Sequence, residues 1–264
     1  MERAVNRPGS ERARTSQTLA RGLQVLDCFL TGVERELGIK DLAGRLNLPQ
    51  TNVARLVATL VEAGYLVQQP VTRQYRLGLR AYLLGLRANP AEELRRIAHP
   101  VLERLATQTG ETVSLNVIDL ASLEGVCIAS IDSPAQIKLT TRVGSVRPLY
   151  WGATRKVLLA FAEQHDQEAV LVRAQIDLSP AELTKLRREL AEICENGFAE
   201  SVEELDEGAY AIAAPVLSPG GALLAGVAVA GPVFRRTETA RRRFIDAVLG
   251  AAGDIARLIA PGSI

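Results

Sequence analysis

The sequence contains few of the residues from which most catalytic and metal sites are built. Its 264 residues include two histidines, His99 and His165, and three cysteines, Cys28, Cys127 and Cys194, that lie far apart. An odd number of scattered cysteines matches neither a disulfide framework nor the spacing of a zinc site. The G-x-S-x-G, H-E-x-x-H and P-loop motifs are absent as well. We therefore expect no catalytic residue, no metal site and no cofactor.

Long apolar runs are also lacking. The longest, residues 222–230, is far too short to cross a bilayer. Residues 1–16 are polar and rich in Arg, Ser and Thr, unlike a secretory signal. We expect a cytoplasmic protein with no membrane partner. Its length favours two domains, and 47% hydrophobic with 23% charged residues is ordinary for a folded chain.

The charges are divided unevenly along the chain. Residues 1–80 contain 12 Lys and Arg against 7 Asp and Glu, whereas the remainder contains 19 against 23. A basic first part suits a nucleic-acid surface, and an acidic second part does not. A solvated surface with a charge bias would explain the uneven charge more simply. The residue pattern of the first part has to decide between this explanation and a nucleic-acid surface.

Residues 17–63 have the apolar spacing of three helices. The apolar positions are Leu19, Leu23, Leu26, Phe29 and Leu30, then Ile39, Leu42, Ala43 and Leu46, then Val53, Leu56, Val57, Leu60 and Val61. Asn47-Leu48-Pro49 leaves only a tight turn before the third helix. Pro49 suits its first position, and Gly64 suits its left-handed end. Two helices joined by so short a turn predict a helix-turn-helix.

The outward face of the third helix is predicted to read bases. Gln50, Thr51, Asn52 and Arg55 lie opposite the apolar stripe. Gln and Asn pair with adenine, and Arg pairs with guanine. The helical bundle with a merely solvated polar face remains the alternative.

A wing is predicted to follow the third helix. Strands over residues 65–67 and 74–77 enclose a polar hairpin with Arg73 at its tip. We assign Arg73 and Arg21 to DNA phosphates. Because helix, turn, helix and hairpin occur together in a basic segment, the pattern favours DNA binding over a solvated bundle.

Residues 77–86 have an apolar helical pattern that Asn89-Pro90 interrupts. An apolar helix between two domains favours a linker that dimerises, and packing on its own domain is the alternative.

The second part predicts an α+β domain with an antiparallel sheet. Its expected elements are helices over 92–109, 180–196 and 244–258, and strands around 113–117, 125–131, 136–141, 210–217 and 222–230. Ser179 and Glu182 form a capping box at the start of the second of these helices. Cys127 and Cys194 are expected to be buried, and the acidic cluster at residues 200–207 is expected to be the solvated start of a short helix.

Several segments, in this order and spacing, resemble the IclR family of bacterial transcription regulators from about Ser16 to Pro232. These segments include LARGLQVL at 19–26, LNLPQTNVARL at 46–56, EAGYL at 62–66, YRLG at 75–78, GETV at 110–113, KVLLA at 156–160, NGFA at 196–199, IAAPV at 212–216 and GP at 231–232.

The resemblance implies a particular domain order and function. The domains would be a flexible tail at 1–16, a winged helix-turn-helix at 17–78, a linker helix at 79–91 and a GAF-like effector domain at 92–264. The expected partners are double-stranded operator DNA, a small organic acid and a second copy in a homodimer or tetramer. The function would be regulation of catabolic genes, as a repressor or, alternatively, an activator.

The resemblance also implies an effector site, where this chain departs from the family. The implied residues are Leu139, Tyr150, Gly152, Ala153, Thr154, Ser201, Ala211, Ala228 and Ala230. Tyr150 stands where histidine is frequent, and Arg155 stands where glycine is usual. The family's polar anchors fall on Ser201 and on three alanines. An apolar lining rewards buried area, so we expect an aromatic or other bulky organic acid.

Two other classes stay open at this point. An enzyme built on the second domain would use Cys127 or the acidic cluster, which comprises Glu200, Glu203, Glu204, Asp206 and Glu207. A protein-interaction adaptor would use the winged helix to bind a protein partner.

Overall fold

The computed structural model describes residues 16–30, 35–87 and 91–259, and the chain forms two compact units, residues 1–88 and 89–264. The first unit contains α1 (Gln17–Asp27), α2 (Ile39–Leu46), α3 (Gln50–Glu62), β1 (Leu66–Gln68), β2 (Tyr75–Leu77) and α4 (Leu79–Arg87). The second contains α5 (Glu92–Thr109), β3 (Thr112–Asp119), β4 (Glu124–Ile131), β5 (Val146–Pro148), α6 (Ala153–Ala160), α7 (Gln164–Ala174), α8 (Pro180–Asn196), β6 (Ala199–Val202), β7 (Ala209–Leu217), β8 (Leu223–Pro232) and α9 (Glu238–Leu258).

The first unit is a winged helix-turn-helix, as predicted. Its three helices share a core that includes the fully buried Val25, Leu42 and Val53. Asn47 takes the left-handed conformation, with φ 49°, and so turns the chain between α2 and α3 within three residues. Gly64, with φ 77°, reverses the chain after α3, which is the role expected of it. Pro49 is the N-cap of α3 and not its first helical residue.

The apolar stripe of α1 is only partly used within the unit. Val25 is buried, whereas Leu19, Leu23 and Leu30 are exposed. Leu26 and Phe29 pack partly buried against the core, as predicted, so the stripe identified the helix and part of the side by which it packs. Of the linker predicted at 79–91, α4 covers Leu79–Arg87, and residues 88–90 lie outside the described part. The predicted tail lies outside it as well, apart from Ser16, which caps α1.

The second unit is built on a six-stranded antiparallel sheet in the order β5-β4-β3-β8-β7-β6. One face packs on α5 and α9, and the other packs on α6, with α7 and α8 joining the same cluster. This confirms the predicted α+β class with an antiparallel sheet. No helix of the described ranges has the length and apolarity to span a membrane.

Strand alternation gives the two faces of the sheet different chemistry. In β3, Val113 and Leu115 pack towards α5 and α9, as their spacing predicted. The alternate residues Thr112, Ser114 and Asn116 are also buried, although they are polar. The sheet is thus covered on both sides, and its second face is partly polar.

Two predicted elements of the second unit are wrong. Residues 136–141 form a loop, because the side chains of Thr112 and Arg235 donate to the carbonyls of Leu139 and Ile137 in place of a strand partner. The acidic cluster does not start a helix. Its first residue, Glu200, lies in β6, and a turn follows in which the Gly208 amide donates to the Glu203 carboxylate at 2.9 Å.

The capping box is confirmed, and one of the two cysteine predictions is wrong. The Ser179 hydroxyl accepts from the Glu182 amide at the start of α8, and Gly197 ends that helix with φ 75°. Cys127 is fully buried, as expected. Cys194 is exposed because it lies beside, and not on, the buried stripe of α8, which includes Ile193.

A buried ion pair fixes the chain near the ends of β3 and β8. Glu111 is 3% exposed and receives two hydrogen bonds from Arg235, at 2.7 and 2.8 Å. Gly231 lies against this carboxylate, and a Cβ atom there would be 2.6 Å from the Glu111 carboxyl carbon.

Gly231→Ala should therefore lower the free energy of unfolding by about 1–3 kcal/mol, the usual cost of overpacking a filled site. Gly250→Ala is the matched control, because a Cβ on that residue of α9 would meet nothing within 4 Å. It should be neutral or stabilise by up to about 1 kcal/mol. Chemical denaturation measures both changes, and equal stability of the two variants would contradict this packing.

Candidate nucleic-acid interface and effector site

The predicted base-reading residues share the exposed face of α3. Gln50, Thr51, Asn52 and Arg55 are all exposed, whereas Val53 is fully buried. Within the described ranges, no hydrogen bond or ion pair engages the four polar side chains. The helix therefore offers amide, hydroxyl and guanidinium groups to an external partner. These are the groups that pair with base edges in a major groove.

The wing is held against the start of α2. The backbone of Leu37 exchanges two hydrogen bonds of 2.9 Å with that of Tyr75. The carboxylate of Glu36 accepts from Gln69 at 2.9 Å and from Thr72 at 3.3 Å. No local pattern pointed to Glu36 in this role, because it lies more than thirty residues before its partners.

The two predicted phosphate contacts differ in exposure. Arg73 is exposed at the wing tip, where its φ of 58° is in the left-handed region. The Gln68 side chain donates to its carbonyl at 3.0 Å and so fixes this turn. Arg21 is half-buried on α1. Arg73 thus meets the geometric requirement of a phosphate contact more fully than Arg21 does.

The sheet register brings together four of the implied effector residues. Ser201 lies opposite Ala211, and Ala211 lies opposite Ala230 in the next strand. Ala230 in turn lies opposite Thr112, whose hydroxyl donates to the Leu139 carbonyl at 2.6 Å. Ala228 is two residues further along β8 on the same face. The result is a row of small side chains with a hydroxyl at each end.

The backbone amides at the start of α6 are already hydrogen-bonded within the chain. The Gly152 amide donates to the Glu204 carboxylate, and the Ala153 amide donates to the Ser201 hydroxyl, both at 3.1 Å. The Lys156 ammonium, which is nearly buried, lies 2.8 Å from the same Glu204 carboxylate. Glu204 is therefore an anchor of α6, a role that its place in an acidic cluster did not reveal.

Tyr150 and Thr154 are buried beside this row, but Tyr150 turns its hydroxyl elsewhere. The hydroxyl donates to Asp177 between α7 and α8, and the ring packs in the apolar cluster of α6–α8. Burial, followed by the bond to Asp177, raises the Tyr150 pKa to about 12. The structure thus places the Tyr150 hydroxyl with α7 and α8, apart from the row of small residues.

Sequence reasoning also missed the polar residues of β3 that face α6. Asn116 donates to the Ser114 hydroxyl at 3.1 Å, and both side chains are buried. The signal was present as the polar half of the alternation in β3. In the described part of the chain, no group of three or more His, Cys, Asp or Glu side chains could hold a metal ion.

Comparison with known proteins agrees with both halves of this architecture. The IclR helix-turn-helix domain matches residues 18–70, and the C-terminal domain of the bacterial transcriptional regulator IclR matches residues 88–257. The chain is 32% identical to the HTH-type transcriptional regulator KdgR of Escherichia coli, over 85% of this chain and 86% of that protein.

Two further similar proteins are a repressor and a homologue that was solved with a bound ligand. The transcriptional repressor IclR of E. coli is 24% identical over 90% of this chain and 88% of its own length. An IclR homologue from Microbacterium hydrocarbonoxydans, solved with 4-hydroxybenzoate, is 25% identical, with a TM-score of 0.69 over 91% of this chain and all of that one. The chain belongs to the IclR family of bacterial transcriptional regulators, and it is a DNA-binding regulator and not an enzyme.

Proposed function

We propose that this regulator is a repressor of catabolic genes that releases or rearranges on its operator when a small organic acid binds the second unit. The observation that carries the proposal is the exposed and unengaged polar face of α3, residues 50–55, in a basic unit with a wing. Operator binding places the protein in the cytoplasm, where bacterial DNA lies.

Each predicted domain has one proposed role. Residues 17–78 bind DNA, residues 79–91 link the two domains, and residues 92–264 bind the effector. Exposed apolar side chains on α1 and α4, such as Leu23, Leu79 and Tyr82, support association with a second copy. A dimer carries two recognition helices, so the operator is expected to be roughly palindromic, with half-sites about 34 Å or a multiple of it apart.

Relatives support the repressor and acid assignments. One relative bears the name of a repressor, and another was solved with 4-hydroxybenzoate, an aromatic acid. The row at Ser201, Ala211 and Ala230 has little polarity of its own, which favours an acid with apolar surface to bury. A tenfold change in operator affinity requires only about 1.4 kcal/mol of coupling between the two sites.

Arg55→Ala should weaken binding to the operator by about 1–3 kcal/mol and relax the preference at one base pair, because a bidentate contact to guanine is lost. Fluorescence anisotropy with the operator and its single-base variants measures this. Arg187→Ala, on the exposed side of α8, is the control and should bind as the wild type does. An unchanged base preference in Arg55→Ala would contradict the reading role of α3.

Arg73→Ala should weaken binding to every duplex alike, because a phosphate contact carries no sequence information. The slope of log affinity against log salt should become shallower by about one. Titrations at several salt concentrations, with operator and with unrelated DNA, measure both effects. If the slope stays as in the wild type, Arg73 does not touch a phosphate.

A further inference from the structure

Buried polar atoms without a partner are concentrated beside α6. Among the described residues, four buried side-chain atoms have no hydrogen-bond partner, namely Asn116 Oδ1, Ser130 Oγ, Arg155 Nε and the Tyr210 hydroxyl. Tyr210 lies on the other face of the sheet, stacked on Phe244. The remaining three lie on the face that α6 covers. Since each such group costs about 1–3 kcal/mol, three together are unusual for packing alone.

The register of β3 and β4 places two of these three groups, Asn116 and Ser130, on the same side of the sheet. Ser114 lies opposite Ser130, and Asn116 lies opposite Cys127. Asn116 also donates to the Ser114 hydroxyl, so its amide oxygen remains as an acceptor. Acceptor and hydroxyl thus lie along the same side of the sheet, next to the row of small residues that ends at Thr112.

Arg155 approaches the same side of the sheet from the first turn of α6. Its Cγ lies over Gly125 of β4, where a Cβ atom would be only 2.9 Å away. Gly125 and Cys127 are two residues apart on one strand and therefore face the same side. The glycine gives the arginine side chain room to extend across the strand towards Cys127.

Arg155 is half-buried, its Nε is fully buried without a hydrogen-bond partner, and no acidic side chain of the described residues contacts it. The charged and titratable groups near it are Cys127, Arg147 and the exposed Asp206, and burial lowers the Arg155 pKa. No ion pair or hydrogen bond of the described residues involves the Arg155 side chain, so Asp206 does not contact it. Arg147, which is exposed and lies opposite Gly125 in β5, adds a second positive charge. A guanidinium with a buried, unpartnered Nε and no counter-charge in contact favours an anion from outside.

We propose that Arg155 is the group that binds the carboxylate of the effector, with Asn116 and Ser130 hydrogen-bonding a hydroxyl elsewhere on the ligand. This inference rests on the proposed function, because it assigns the chemistry of the same effector site. The ligand class is a hydroxylated organic acid. An arginine presents two parallel N–H donors to a carboxylate, which gives both charge and orientation. The specificity would belong to this chain, since its α6 carries Arg155 at a place where it has no partner of its own.

Isothermal titration of the full-length protein tests the proposal with matched pairs of probes. The acids are benzoate, 4-hydroxybenzoate, pyruvate and glyoxylate, and each is compared with its neutral carboxamide. We expect the wild type to bind at least one acid tenfold or more tightly than its amide, and the hydroxylated benzoate more tightly than benzoate. Arg155→Gln should lose at least tenfold in affinity for that acid and should leave the weak binding of the amide unchanged.

Further variants separate ligand binding from structure. Arg155→Lys keeps the charge without the planar pair of donors and should lose less affinity than Arg155→Gln. Arg188→Gln is the matched control. This exposed residue of α8 lies 3.6 Å from Glu192 and forms no other ion pair with the residues that the structure describes, so the variant should bind as the wild type does. The ligand-free melting temperature of Arg155→Gln should not fall, because the residue has no partner to lose, whereas a structural arginine would lower it.

The outcomes distinguish this inference from the proposed function. Acid binding by Arg155→Gln within twofold of the wild type, equal binding of acid and amide, or no binding of any acid by the wild type would each overturn the role of Arg155. A lower ligand-free melting temperature together with unchanged acid affinity would make it a structural residue. Operator binding in a gel shift, which involves the first unit, would persist in all these cases. Its failure in the wild type would overturn the proposed function instead.

Discussion

The double covering of the six-stranded sheet is the constraint on which the second unit depends. Because α5 and α9 take one face, every second strand residue must be apolar, as at Val113 and Leu115. The opposite face meets α6, and many of its residues, such as Ser114, Asn116 and Ala228, are small or polar. The position of α6 follows from Glu204, which binds Lys156 and the Gly152 amide. Strand alternation and one anchored helix thus form the proposed effector site.

In the first unit, one side of a helix packs on the core and the other side is left exposed. Val53 and Val57 pack α3 on the core, and the residues on its opposite side are not needed for packing. The wing is positioned independently, by the backbone ladder between Leu37 and Tyr75 and by Glu36. Residues on that side can therefore vary without loss of the fold, so that one scaffold can serve different partners.

Local signals predicted most of the fold, and long-range contacts account for the errors. Apolar spacing and Gly64 located the recognition helix, and the Ser179 capping box located α8, because each depends on neighbours in sequence. Residues 136–141 were predicted as a strand, but side-chain donors from distant Thr112 and Arg235 hold them as a loop.

In the candidate site, too, local patterns predicted some features and long-range contacts determine the others. Alternation indicated which strand residues share a face. The bonds from Glu204 to Lys156 and the Gly152 amide, and the lack of a partner for Arg155 Nε, depend on residues that are distant in sequence. No local pattern predicts either feature. The central claim, that side chains of α3 read operator bases, is tested most directly by DNase I footprinting of the full-length protein on DNA flanking its own gene. We expect protection of two half-sites on one face of the duplex, separated by a whole number of helical turns. Absence of protection at moderate salt, with and without organic acids, would contradict it.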